Sequence, residues 1–169
     1  HRVMVATIRC KEIATAQVAL FQESEVWKGM EEQYEKDLIS DFGARVSELV
    51  DDTLSGYDEE ARYFESKVSQ ERRESMIQEI QGVIYPLYEK QLALASAKSL
   101  DGLKRMMESE TDSRPFTQKS DENSKICLEE FDANAKLLFT HCMSKKTESA
   151  AKEALRRDLV SYSEILKSS

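Results

Sequence analysis

The side chains best suited to nucleophilic or metal chemistry in this 169-residue chain are three cysteines and two histidines, and only Cys127, His141 and Cys142 fall near one another. If one helix carried both, Cys127 and His141 would point in similar directions yet lie about 21 Å apart along its axis, too far to share a zinc ion. Adjacent helical residues such as His141 and Cys142 diverge by about 100°, so a thiol–imidazole pair fails on geometry as well. The residues therefore read as two core-facing thiols and a histidine at the surface or its boundary. Metal sites in helical bundles use a Glu-x-x-His step, but the residue three before His141 is Leu138, and His1 has none upstream in this sequence. Carboxylate pairs such as Asp51-Asp52 and Glu59-Glu60 read as solvated helix faces. Phosphate-cradling loops need clustered glycines and a lysine, whereas the five glycines here, at 29, 43, 56, 82 and 102, are never closer than 13 residues. The residues thus assign no catalytic, cofactor-binding or metal site, and they do not support an enzyme in its own right.

What remains is architecture. Seven glycine and proline residues are about 4% of the chain where roughly 12% is usual, which argues against turn-dense β folds. A net charge of −8, from 24 Lys+Arg against 32 Asp+Glu, with basic pairs scattered at Arg72-Arg73, Lys145-Lys146 and Arg156-Arg157, argues against a nucleic-acid partner. An apolar content of 40% is too high for disorder, while 33% charge implies a large wet surface and a thin, elongated body. The longest uncharged stretch, Ile13 to Gln22, is ten residues, about half of what a membrane-crossing helix needs. No secretory leader is evident, and three cysteines cannot all pair in one chain, so reduced thiols are expected. His1 in place of a methionine suggests a segment of a longer protein.

Apolar spacing then places the elements. Val3, Ala6, Cys10, Ile13, Ala16 and Leu20 form one helical stripe; a strand through Val3, Val5 and Ile8 is the competing reading. Residues 24–36, with Trp27, Met30 and Tyr34, read as a short helix or irregular connector, and Trp27 and Phe42 as core caps more readily than as partner anchors. From Phe42 the stripe Val46, Leu49, Thr53, Tyr57, Ala61, Phe64, Val68 predicts one helix of 27 residues, capped by Ser40 or Asp41. Gly56 interrupts it at a cost of about 1 kcal/mol relative to alanine. A second long helix is predicted from about Ser69, through Ile77, Ile80, Ile84, Leu87 and Leu94, continuous but kinked at Gly82/Pro86, with a fresh turn at Ser99. Residues 109–120 are the one obvious linker. Leu128, Phe131, Ala135, Leu138 and Cys142, continued by Leu155, Leu159, Tyr162 and Leu166, predict a last helix of up to about 40 residues, with a break near Lys145 as the alternative. The expected fold is all-α: a single elongated bundle over 1–169 of about four long antiparallel helices. Its core would hold Phe42, Leu49, Tyr57, Phe64, Ile80, Ile84, Phe131 and Leu138.

Four stretches carry a resemblance: Met4-Val5-Ala6-Thr7-Ile8-Arg9-Cys10-Lys11-Glu12-Ile13, Phe42-Gly43, Leu54 through Phe64, and Pro86-Leu87-Tyr88. They are similar to the region that follows the GTPase domain in the Root Hair Defective family of dynamin-like GTPases, counterparts of atlastin. The likeness is carried by residues 3–94. It implies a parent that binds GTP and Mg, forms homodimers and fuses membranes of the endoplasmic reticulum from their cytosolic face. The membrane would be reached only through segments absent here. This chain would then be a mechanical module with no chemistry of its own. Arg9, Cys10, Glu12 and Ile13 would lie near the junction to the adjacent GTPase domain, and Gly82 and Pro86 would form the hinge. The alternative is a coiled-coil or adaptor scaffold unrelated to GTPases, which should self-associate where the module stays monomeric.

Overall fold

A computed structural model describes residues 2–169; the readings at His1 lie outside the described residues. Six helices follow in order: α1 (Arg2–Glu23), α2 (Glu25–Gln33), α3 (Phe42–Ala61), α4 (Ser66–Met107), α5 (Phe116–Leu138) and α6 (Lys145–Lys167). The all-α expectation holds, with five long helices and a short one where about four were expected.

The difference comes from turns that carry no glycine or proline. The predicted 42–68 helix ends at Ala61. The chain reverses through Arg62–Glu65, so α3 and α4 form a hairpin closed by Tyr57, whose hydroxyl donates to the Ser69 carbonyl at 2.8 Å. Arg73 adds a two-pronged ion pair to Asp58 at 2.8 and 3.1 Å. Phe64 and Val68 keep the stripe's period because both arms of the hairpin bury against the same core. At Ser24 the chain leaves the helical region, and the serine side chain accepts from Trp27 N at 3.1 Å, starting α2. Asp41 does occupy the N-cap position of α3, and its carbonyl accepts from Arg45 N at 2.9 Å, but its side chain caps nothing. Its backbone is left-handed, with φ of 54°, and its carboxylate makes no bond to the helix start.

α4 runs 42 residues without interruption through Pro86 and Ser99, so the fresh turn expected at Ser99 is absent. Its length is about 63 Å. A compact chain of this size would be roughly 40 Å across. The surface is correspondingly large, 10465 Å², against roughly 8500 Å² for a compact monomer of this mass. The 109–120 linker is shorter than expected, because Pro115 leads into α5 and residues 116–120 are already helical. Lys119 turns inward there and donates to the carbonyls of Met107 and Ser109 at 3.0 and 3.1 Å, closing the C-terminal end of α4. The long last helix is two helices, broken at Phe139–Ser144, with Ser144 accepting from Lys146 N to start α6.

The packing pattern makes α4 a shared spine. α1 and α3 pack on its first half, α5 and α6 on its second. α3 and α5 lie end to end beside it, and they meet where the N-terminus of α3 touches the end of α5. Of the expected core, Phe42, Tyr57, Ile80, Ile84, Phe131 and Leu138 are buried, while Leu49 and Phe64 are half-buried against that core. In α1 the register is corrected. Ala6 and Cys10 face inward, but Val3, Ala16 and Leu20 are exposed, and the buried line is Ala6, Cys10, Ala14, Gln17, Val18 and Phe21.

Candidate functional site

Two places could matter for a mechanical element: the joint at mid-α4 and the outer face of α1. The joint is built first by glycine. Gly43 lies in the opening turn of α3, and a Cβ there would collide with the Phe139 carbonyl oxygen and stand 2.9 Å from that of Leu137. Only a residue without a side chain lets the start of α3 sit this close to the end of α5. One turn along, Ser47 Oγ reaches Thr140 Oγ1 at 3.1 Å and His141 Nδ1 at 3.2 Å. His141 Nε2 lies 3.4 Å from Asp51 Oδ1, with both side chains more than half exposed. From α4, Gln81 Nε2 donates to the Cys142 carbonyl at 2.7 Å.

Across the joint Gln91 of α4 is fully buried and makes three bonds. Its Oε1 accepts from Ile39 N at 2.8 Å, and its Nε2 donates to the carbonyls of Tyr34 and Asp37 at 2.8 and 2.9 Å. These bonds tie the 34–41 connector to the spine. The candidate hinge residues Gly82 and Pro86 lie about 14 and 8 Å before Gln91 along the helix axis, on the exposed side of α4. A Cβ at Gly82 would meet nothing. Pro86 has no N–H, so the helical bond to the Gly82 carbonyl is missing here.

On α1 the junction residues do not share a face. Arg9 and Glu12 point outward and pair at 3.4 Å, Ile13 is half-buried, and Cys10 is wholly buried beside Tyr57. What sequence reasoning missed is an outward apolar group beside them: Val3, Met4, Val5 and Ile8 are all more than two-fifths exposed. Its signal is apolar residues on every side of one helical stretch, more than one buried stripe can absorb.

Burial pushes the thiols of Cys127 and Cys142 upward, away from the thiolate form. Burial and then Glu148 push Tyr88 up to about 12, and its hydroxyl has no partner among the described residues. His141 lies in the α5–α6 loop and Cys127 inside α5, so they do not share one helix as assumed above, and His141 bonds to α3 instead. Among the described residues no group of three or more His, Cys, Asp or Glu could hold a metal, and no helix is long and apolar enough to cross a membrane. Trp27 and Phe42 are core residues.

A family model described as the Sey1 three-helix bundle domain matches residues 40–169, farther toward the C-terminus than the resemblance read from residues 3–94. Protein ROOT HAIR DEFECTIVE 3 of Oryza sativa subsp. japonica is 30% identical over 162 residues, covering 96% of this chain and 20% of the relative. Protein ROOT HAIR DEFECTIVE 3 homolog 2 of Arabidopsis thaliana is 32% identical over 133 residues, 78% of this chain and 16% of that protein. The chain thus spans about a fifth or less of the curated relatives it matches. No solved structure matches it. With α4, α5 and α6 forming three packed helices inside the matched range, the chain belongs to the Sey1 three-helix-bundle family and is similar in sequence to the Root Hair Defective 3 proteins.

Proposed function

We propose that this chain is the strut of a membrane-anchored, atlastin-like GTPase that joins endoplasmic reticulum membranes. It would stand on their cytosolic face and carry GTP-driven movement of an adjacent GTPase domain toward the membrane. GTP and Mg would be bound by that domain, two parent molecules would pair, and membrane contact would be made by other segments. The observation that supports this best is the 42-residue α4. A continuous helix about 63 Å long, backed on both halves by packed helices, carries a displacement from end to end where a flexible linker of the same span would dissipate it. The outward Val3, Met4, Val5 and Ile8 group beside Arg9 and Glu12 gives such a domain an apolar surface to seat on.

The test severs the spine while leaving the GTPase domain alone. In the parent protein, a Gly-Ser-Gly-Ser insertion after exposed Glu89 breaks α4 at mid-length. The reading expects GTP hydrolysis to persist while liposome fusion falls at least roughly tenfold. Fusion at the normal rate by this variant would end the strut reading.

A further inference from the structure

The two bundles are not joined equally on all sides, and the inequality has a physical direction. On the inside Gln91 ties the connector that leads into α3 to the spine, with three bonds from a side chain that water does not reach. On the outside the ties are Ser47 to Thr140, Ser47 to His141 and His141 to Asp51, and His141 and Asp51 are more than half exposed. Hydrogen bonds and ion pairs open to water are readily exchanged for water contacts, whereas buried ones are not. The spine itself is softest one to three turns before Gln91, beside the α5–α6 loop, because Pro86 removes one helical bond and Gly82, four residues earlier, has no side chain to brace it.

We infer that the chain articulates at mid-α4, with buried Gln91 as the fixed pivot. The exposed contacts of His141 with Ser47 and Asp51 form a releasable latch that holds the two bundles in line. The inference concerns this chain alone and does not depend on the GTPase reading. Releasing the latch lets α3 and α5 swing at their facing ends as far as the shared core allows. That core is continuous across the joint, from Phe42, Tyr57 and Ile80 on one side to Phe131, Leu103 and Leu155 on the other.

The test places spin labels at exposed Glu60 of α3 and Glu129 of α5, in a Cys142→Ser background so that only buried native thiols remain. The positions lie on opposite sides of the joint, about 40 Å apart along the rod. Double electron–electron resonance should give one narrow distance for the latched chain and a distribution at least roughly twice as broad for Ser47→Ala/His141→Ala. Amide exchange at residues 139–143 should rise at least roughly tenfold in that variant, with Leu155–Leu159 unchanged. A milder variant, Asp51→Asn, should broaden the distribution partway, so the test does not depend on the double variant folding well. Faster exchange with an unbroadened distance would show the bundles fixed by their cores and overturn the hinge. Unchanged exchange would overturn the latch.

Discussion

Gly43→Ala tests the end-to-end contact on which the architecture turns. The new Cβ would press on the carbonyl oxygens of Phe139 and Leu137, the latter at 2.9 Å, and both are main-chain atoms that cannot swing aside. Overpacking costs about 1–3 kcal/mol, and a backbone obstacle puts this case near the upper end. Alanine's better helix propensity returns at most about 1 kcal/mol. The expected net loss is about 2 kcal/mol, or roughly 5 °C in Tm for a chain of this length. Two other glycines serve as controls. Gly82→Ala meets open space and should raise Tm by about 3 °C. Gly56→Ala meets only the side-chain amide of Gln17, with Cδ at 2.8 Å, and should fall between the two because that side chain can rotate away. Helix-detected thermal unfolding of the three variants reads the order directly. A Gly43→Ala chain as stable as the parent sequence would refute the close approach of α3 to α5.

Gln91→Leu strands the Ile39 N–H and removes the donor from the Tyr34 and Asp37 carbonyls; chemical denaturation should show a loss of about 3 kcal/mol. Hydrogen bonds from the Arg114 side chain hold Asp112 down to about 2. A carboxyl depressed in the folded state contributes stability that is present above its ordinary value and fades as pH falls toward 2. Protection of the 108–115 amides relative to their intrinsic exchange rates should therefore fall below about pH 4, and Arg114→Ala should show the lowered protection already at neutral pH. Cys10 and Cys127 are buried and Cys142 half-buried; mass spectrometry after alkylation at neutral pH should find Cys142 modified first and the other two only on unfolding.

The sequence made the helices legible wherever one face is buried and the other wet. Phe42, Val46, Tyr57 and Ala61 line the one side of α3 that is buried. In α1 the stripe misleads, because the helix buries Gln17 against Gly56 of α3 and leaves Leu20 in water, the reverse of their polarity. The turn after Ala61 was hidden because Arg62, Tyr63, Phe64 and Glu65 are no helix breakers; tertiary contacts between Tyr57 and Ser69 close it. The joint was the least visible feature. Gly56 looked like a weak point of its helix and Gly43 stood only in a stretch of resemblance; nothing local shows that another chain segment presses against each. Gln91 is a polar residue at an inward position, which spacing alone assigns to no role. Pro86 was visible as a proline in a helix, but that two bundles meet beside it follows only from how α3 and α5 abut.

The measurement closest to the central claim is small-angle X-ray scattering from the 169-residue chain. A spine shared by two end-to-end bundles requires a monomer with a maximum dimension of at least about 65 Å, set by α4 and its flanking side chains. A monomer no more than about 45 Å across would be a compact globule of the same mass and would contradict it.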